Sequence, residues 1–223
     1  MKSATFAVGL AALVAQGNLV AHWEGKSGLD SLGRNNATLL GGAHITNGAF
    51  DFLGNIYEVA FIPDNGSLAL THNLSISCWV YAREFASPQA TSPQSQIVFR
   101  GDDRCGLDPY DLLLMKSGHW QFKIWNESDV CLIQAPAFLF EWTHLLATLD
   151  AELGVMRLYV NGELMAQTYT KITPMKSLEQ SASPGISIGN VQFPSGPYHR
   201  QPFDGFIRDV RIYDAAIKPS DLR

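Results

Sequence analysis

The sequence predicts an all-β fold, a two-sheet antiparallel sandwich of the jelly-roll type, from three observations. The 223 residues include 19 Gly, 11 Pro, 12 Phe, 7 Tyr and 5 Trp, a composition typical of short strands joined by tight turns. Apolar and polar residues alternate in short segments that Gly, Asn, Asp or Pro separate. No segment between Asn18 and Tyr213 has a sustained helical period.

The alternating segments define the expected strands in order along the chain. Two hairpins are marked by their turns, Lys116-Ser117-Gly118 and the type I′ signal Asn161-Gly162. The low-complexity stretch 87–95 is expected to be one long exposed loop. The predicted strands are 49–53, 57–61, 74–82, 96–99, 112–115, 120–125, 130–134, 142–150, 155–160, 163–170, 186–188 and 206–213.

The N-terminus has the layout of a secretory signal peptide. Lys2 precedes the apolar run 4–15, and Ala15-Gln16-Gly17 offers small residues at the spacing that signal peptidase accepts. This run is shorter than the roughly 20 residues that span a membrane. We expect a signal peptide over 1–17, a jelly-roll domain over 18–223, secretion to the extracellular space and no membrane insertion. The alternative is that 4–14 forms a first buried strand or helix.

Composition and charge limit the partners. Hydrophobic residues make up 46% of the chain and charged residues 17%, which suits one globular domain. The net charge of −5 disfavours nucleic acid and anionic membranes as partners.

Sequons and cysteines agree with export. Four Asn-x-Ser/Thr sequons predict N-glycosylation at Asn36, Asn65, Asn73 and Asn126. Among the 3 Cys, Cys78 shares a strand face with Ile76 and Val80 and is expected to be buried. Cys105 and Cys131 flank a hairpin and are expected to form a disulfide.

Several strings, in the same order, resemble the LamG-like branch of the concanavalin A-like jelly rolls. They are LVAHW at 19–23, GAFDF at 48–52 with YEV at 57–59, LSISCWV at 74–80, WTHLLATLD at 142–150, MRLYVNG at 156–162 and FDGFIRDVRIYD at 203–214. The resemblance implies a two-sheet jelly roll. It leaves function open, because this fold hosts lectins, adhesive modules, glycosidases and lyases. Glu24-Gly25-Lys26 departs from the acidic pair common at that turn.

Sequence signals for catalysis are weak. Glycosidases pair two facing carboxylates, and the one Glu-x-Asp string, Glu127-Ser128-Asp129, is best explained as a turn. The 6 His residues have no partner in a nucleophile motif. A hydrolase or lyase remains an alternative.

The segment 100–111 concentrates charge in a polar loop. As a site it would bind calcium through Asp102, Asp103 and Asp108, or bind a sugar with Arg104 and Tyr110. Alternatively, Arg100 and Arg104 pair with these carboxylates and rigidify the loop. The Arg-Gly-Asp tripeptide at 100–102 also leaves open a contact with an extracellular protein.

Aromatic and planar groups suggest a saccharide site. Tyr198, His199 and Arg200 combine ring faces with hydrogen-bond donors. Trp120 and Trp125 lie on opposite faces of one strand, so one of them is expected in the core and the other is available for stacking.

Calcium is also suggested at the closing strand. Asp209 matches a position where similar jelly-roll glycosidases carry a structural calcium ligand, with Asp51 as a companion. The alternative is an Asp209 that accepts hydrogen bonds from Arg208 or Arg211 on the outer face.

The sequence therefore predicts a secreted lectin-like module that binds a carbohydrate or glycoconjugate without catalysis, with possible structural calcium. A polysaccharide-degrading enzyme and a protein-adhesion module are the alternatives.

Overall fold

The computed structural model describes residues 17–102, 108–191 and 200–222. These residues form 15 strands and three short 3₁₀ helices. The strands are arranged in two antiparallel sheets that pack face to face. The all-β sandwich prediction is confirmed. None of the helices in these three ranges is long and apolar enough to cross a membrane.

The eight-stranded sheet has the order β13-β12-β11-β6-β15-β4-β3, and β1 also pairs with β15. Its central strands are β6, β11 and β15, which pair over long registers. Its members are β1 (Leu19–Trp23), β3 (His44–Thr46), β4 (Ala49–Leu53), β6 (Leu74–Ala82), β11 (Trp142–Asp150), β12 (Val155–Val160), β13 (Glu163–Tyr169) and β15 (Asp204–Tyr213).

The seven-stranded sheet has the order β10-β9-β8-β7-β14-β5-β2. Its members are β2 (Thr38–Leu40), β5 (Val59–Pro63), β7 (Gln94–Gly101), β8 (Tyr110–Met115), β9 (His119–Trp125), β10 (Val130–Pro136) and β14 (Gly185–Ile188). Three-residue 3₁₀ helices occur at Gly66–Leu68, Gln180–Ala182 and Pro219–Asp221.

Local sequence explains most of these elements. β4, β6, β11 and β12 have the predicted bounds, and both predicted hairpins are present, between β8 and β9 and between β12 and β13. Asn161 and Gly162 have φ angles of 52° and 84°, as a type I′ turn requires. β2 and β3 were not predicted, because three residues are too few to show alternation.

The core lies between the sheets and follows the period of two along each strand. On β6, the side chains of Leu74, Ile76, Cys78, Val80 and Ala82 are fully buried. The prediction of a buried Cys78 is confirmed. The residues between them point away from the core, and these outward positions carry the candidate site.

The predicted exposed loop at 87–95 needs correction. β7 begins at Gln94, inside that range. Ser87 is buried and donates a hydrogen bond of 2.7 Å from Oγ to the carbonyl of Gly54. The segment is therefore anchored to the domain at both ends.

The predicted disulfide is not formed. Cys131 carries a free thiol on β10, and Cys105 lies outside the described residues. The predicted signal peptide at 1–17 falls almost entirely outside the described residues and stays a prediction.

Candidate functional site

The outer face of the eight-stranded sheet gathers large aromatic residues from its three central strands. Tyr81 on β6 pairs with Trp142 on β11 and with Phe206 on β15. One row further along β6, Trp79 pairs with His144 and Arg208 on the same two strands. Because residues two apart share a face, both rows project away from the core.

Four of these rings form a continuous surface, which we call the aromatic platform: Trp79, Tyr81, Trp142 and Phe206. The ring centroids of Tyr81 and Trp142 are 5.8 Å apart, those of Tyr81 and Phe206 5.9 Å, and those of Trp142 and Phe206 6.3 Å. These separations are typical of favourable aromatic pairs. All four side chains are partly exposed, so the platform presents ring surface to solvent.

Two arginines stack on the platform. The guanidinium carbon of Arg208 lies 4.2 Å from the ring centroid of Trp142 and 5.9 Å from that of Trp79. Arg83 lies 4.7 Å from the centroid of Phe206 and is held by ion pairs with Asp204 at 2.6 Å and Asp51 at 3.0 Å. The platform therefore combines apolar ring faces with planar hydrogen-bond donors.

A β-bulge turns Asp209 onto the same face. The pairing of β15 with β6 shifts between Arg208 and Arg211, and Asp209 has a left-handed φ of 51°, which Asp tolerates better than most residues. Val210 is buried, whereas the side chain of Asp209 is 33% exposed. The bulge thus places Arg208, Asp209 and Arg211 together on the outer face, as bulges beside functional sites often do.

Next to the platform is a polar pocket of about 280 Å³, at the small end of the range for ligand sites. Trp79 belongs to both the platform and this pocket. Leu222, from the segment after β15, forms one wall. The pocket is lined by Ser77, Trp79, His144, Asp209, Arg211 and Leu222.

Hydrogen bonds fix the polar groups of the pocket. Asp209 Oδ1 lies 2.7 Å from Nε2 of His22 and accepts from Nε of Arg211 at 2.9 Å. Oδ2 of Asp209 has no hydrogen-bond partner in the described part of the chain. Oγ of Ser77 is 2.9 Å from Nε2 of His144. Burial lowers the pKa of His144 and so favours its neutral imidazole.

The C-terminal segment covers the part of this face that lies on the far side of the pocket from the platform. Ile217 packs with Leu146 and Tyr213 in a small apolar cluster outside the main core. Oγ of Ser75 donates to the carbonyl of Ala215 and accepts from the amide of Ile217. The covered area ends beside the pocket, and the platform stays open.

The described part of the 100–111 loop is held by protein contacts. Asp102 is buried and accepts from the amide of Glu179 at 2.7 Å. Nζ of Lys123 lies 3.2 Å from Asp108 and 2.8 Å from Asp111. Burial raises the pKa of Asp108 to about 6. The loop is therefore rigidified by ion pairs, as the alternative interpretation expected, but the positive charge comes from Lys123 and not from an arginine of the loop. Asp103 and Arg104 lie outside the described residues.

Arg100 also has a structural position. It is fully buried, pairs with Asp64 at 3.1 Å and donates to the carbonyl of Lys176. Arg100 was expected to pair with carboxylates of its own loop, and this expectation is corrected: its partner is Asp64.

Two predicted ligand-binding aromatics are core residues instead. Tyr110 is fully buried, and its hydroxyl donates to the carbonyl of Leu68 at 2.8 Å. Trp120 is 1% exposed. Both side chains point between the sheets, because the alternation on β8 and β9 places them there, so neither presents a ring face to a ligand. Of Trp120 and Trp125, Trp125 is the residue that faces outward. Nζ of Lys123 lies 5.7 Å from the centroid of its ring.

Of the 194–200 loop, Tyr198 and His199 lie outside the described residues. Arg200 is largely buried, lies 5.4 Å from the ring of Tyr57 and donates to the carbonyl of Ile56. Its own carbonyl accepts from Thr91. Arg200 therefore anchors the chain in this structure.

The proposed calcium ligands do not form a calcium site with each other. Asp209 accepts from Arg211, as the alternative interpretation required, and also lies 2.7 Å from His22. Asp51 pairs with Arg83, with His44 at 3.4 Å. The guanidinium groups of Arg211 and Arg83 disfavour a Ca²⁺ ion at these two carboxylates. Calcium binding stays a prediction. Within 17–102, 108–191 and 200–222, no group of three or more His, Cys, Asp or Glu side chains is placed to hold a metal.

The sequon asparagines lie at turns or at the ends of elements. Asn36 is exposed and Asn126 closes a turn by accepting from the amides of Ser128 and Asp129. Asn73 accepts from the amide of Ala151, and Asn65 caps the 3₁₀ helix Gly66–Leu68. Glycosylation stays a prediction.

Comparison with known proteins agrees with the fold. A family model for the concanavalin A-like lectin/glucanases superfamily matches residues 53–223, so the match begins in β4. A search of curated protein sequences finds no match.

The similar solved structures include three that are named with a bound ligand. The binding domain of botulinum neurotoxin DC in complex with SialylT has a TM-score of 0.65 and 18% identity over 91% of this chain and 49% of that chain. Domain 4 of a GH43 extracellular arabinanase from Geobacillus stearothermophilus, in complex with arabinotriose, has a TM-score of 0.64 and 20% identity over 92% and 96%. The CBM40 of a Ruminococcus gnavus IT-sialidase, bound to α2,3 sialyllactose, has a TM-score of 0.54 and 16% identity over 70% and 83%.

This chain spans about half the length of the neurotoxin chains it resembles. At these identities the structural likeness establishes the fold alone. The family model covers most of the chain, and the two-sheet architecture agrees with it. The chain therefore belongs to the concanavalin A-like lectin/glucanases superfamily.

Proposed function

We propose that this chain is a secreted, lectin-like module that binds a carbohydrate or glycoconjugate on the aromatic platform and in the polar pocket beside it, without catalysis. The observation that carries the proposal is the cluster of four partly exposed rings on three adjacent strands, with stacked guanidinium groups. Sugar CH faces stack on such rings, and the hydroxyls need oriented polar groups.

The pocket supplies those polar groups. Oδ2 of Asp209 is an available acceptor in the described structure, and the neighbouring Ser77 and His144 already hold each other in position. A volume of about 280 Å³ suits a single sugar unit, while the platform would extend the contact to further units. Three structural neighbours are described with SialylT, arabinotriose or α2,3 sialyllactose bound, which supports a saccharide as the class of ligand.

Three of the described carboxylates, Asp108, Asp111 and Asp209, are poorly placed for hydrolysis. Asp108 and Asp111 share Lys123, but Asp111 has no exposed surface and cannot reach a glycosidic bond. Ser77 and His144 form a dyad, yet Asp209 hydrogen-bonds His22 and Arg211 rather than completing a triad with His144. We therefore favour binding over catalysis.

The test is retention of the purified chain on a panel of immobilised glycans, followed by an assay of the same wells for new reducing or unsaturated ends. We expect retention without new chain ends. Trp142→Ala should weaken binding by about tenfold or more, because it removes the platform ring that lies nearest to Arg208. Tyr169→Ala is the matched control, since Tyr169 is a 76% exposed ring on the edge strand β13.

Three outcomes would contradict the proposal. New chain ends would identify an enzyme. Retention that Trp142→Ala leaves unchanged would place the ligand elsewhere. Failure to retain any glycan, together with capture of an extracellular protein, would favour the adhesion alternative.

A further inference from the structure

We propose that the ligand of the aromatic platform is an acidic saccharide, whose carboxylate binds the guanidinium of Arg208; this inference rests on the proposed function. The carboxylate would approach Arg208 at the junction of the platform and the polar pocket, where Trp79 belongs to both.

Among the arginines of the platform and the pocket, Arg208 has no counter-ion in the described part of the chain. It contacts the rings of Trp142 and Trp79, and no carboxylate in the described ranges lies within ion-pair distance of it. Ring stacking uses the faces of a guanidinium and leaves its N–H groups, which lie in the plane, free to bind a planar carboxylate through two hydrogen bonds.

The other arginines on the platform and in the pocket are already paired. Arg83 is shared by Asp51 and Asp204, and Arg211 binds Asp209. Each of these guanidinium groups would have to give up an ion pair to bind a ligand carboxylate. Arg208 would not, so it is the energetically favoured receptor for an anion.

The net negative charge of the chain does not prevent this contact. Charges more than about 8 Å away are largely screened at physiological ionic strength. The nearest carboxylate along the strand, Asp209, is ion-paired with Arg211 and is hydrogen-bonded to His22. Local pairing rather than net charge therefore decides the preference at Arg208.

The pocket complements an acidic sugar in a second way. An acidic sugar carries hydroxyl groups next to its carboxylate, and these need acceptors. Asp209 Oδ2 offers one beside Arg208, because the bulge places both residues on the outer face. The same site thus provides a cation for the acid group and an anion for the hydroxyls.

The experiment compares sugars that differ only in charge. Binding of sialyllactose and of trigalacturonic acid is measured by calorimetry against their methyl esters, with lactose as the neutral reference and sulfated lactose as the second anion. We expect at least one of the acids to bind about tenfold more tightly than its ester, a difference that decreases as salt is raised.

Variants test whether Arg208 is the residue responsible for the preference for acidic sugars. Arg208→Gln should reduce the affinity for the preferred acid to that for its ester, and Arg208→Lys should keep part of the preference. Arg157→Gln is the matched control, because Arg157 lies on β12 of the same sheet and contacts Gln167 instead of an aromatic ring. Thermal melting of each variant checks that it is folded.

The outcomes separate this inference from the proposed function. If neutral sugars and esters bind as tightly as acids, and Trp142→Ala still abolishes binding, the lectin-like function stands and the acidic preference is wrong. Tighter binding of sulfated lactose than of either carboxylate would also overturn the inference. If no sugar binds, both proposals fail.

Discussion

On the eight-stranded sheet, the outward aromatic side chains at one end of β6, β11 and β15 meet solvent, whereas on the seven-stranded sheet many outward side chains of β7, β8 and β14 are buried. Phe99, Asp111 and Ser187 form one cross-strand row on the latter sheet, and all three are buried. Trp79, Tyr81 and Phe206 occupy comparable outward positions on the former sheet and are partly exposed.

The comparison separates two uses of charge. On the seven-stranded sheet, Lys123 compensates Asp108 and Asp111 inside the protein, so these charges stabilise the fold. On the eight-stranded sheet, Arg208 and Oδ2 of Asp209 keep unused hydrogen-bonding capacity at the surface. An outward position therefore does not define a binding residue; the uncovered surface does.

The largest effect is expected from Lys123→Met, which removes the positive charge shared by two buried carboxylates. Loss of one partner from a buried charge pair costs about 3–5 kcal/mol of unfolding free energy, measured by urea denaturation at pH 7. Glycan binding should not change once the variant is folded. A loss below about 1 kcal/mol would show that this cluster is effectively solvated.

A smaller effect is expected from the titration of Asp108. Its folded pKa of about 6 lies above its usual value of 3.8, so the native state binds more protons in this range. The free energy of unfolding should therefore decrease as pH rises from about 4 to about 6, by on the order of 2–3 kcal/mol. In Asp108→Asn much of this slope should disappear, and the exposed Asp129→Asn should retain it. An unchanged slope in Asp108→Asn would contradict the assignment.

The smallest effect is expected from His144 on the open face. Burial lowers its folded pKa below the usual 6.5, so the native state binds fewer protons than the unfolded state. Its contribution to stability is fully present above pH 6.5 and is lost as pH falls below that value. Urea denaturation between pH 5 and 7 should show this loss in the parent chain and not in His144→Gln. The opposite slope would mean that a carboxylate stabilises the imidazolium.

The sequence predicted the fold well because alternation is a local signal. β6 and β11 have the predicted bounds, and Cys78 is buried as expected. The same alternation also identifies Trp79, Tyr81, Trp142 and Phe206 as outward aromatics. The strings that contain them also carry the family resemblance, which concerns the fold, and the platform was therefore not predicted.

The site was harder to predict because it depends on pairing between distant strands. Phe206 and Trp142 are far apart in sequence and meet only through β6. The bulge that turns Asp209 outward is not visible in a simple period of two. For Tyr110 and Trp120, the sequence offered aromatic chemistry, but the faces of their strands placed them in the core.

The most direct test of the binding face is NMR of the indole N–H groups of the 5 Trp residues, assigned by single Trp→Phe variants, during titration with the tightest-binding glycan. The indole signals of Trp79 and Trp142 should shift as binding saturates, while those of Trp125 and of the buried Trp23 and Trp120 should stay in place. A saturating shift of Trp125 with no change at Trp79 and Trp142 would place the ligand on the seven-stranded sheet and contradict the account.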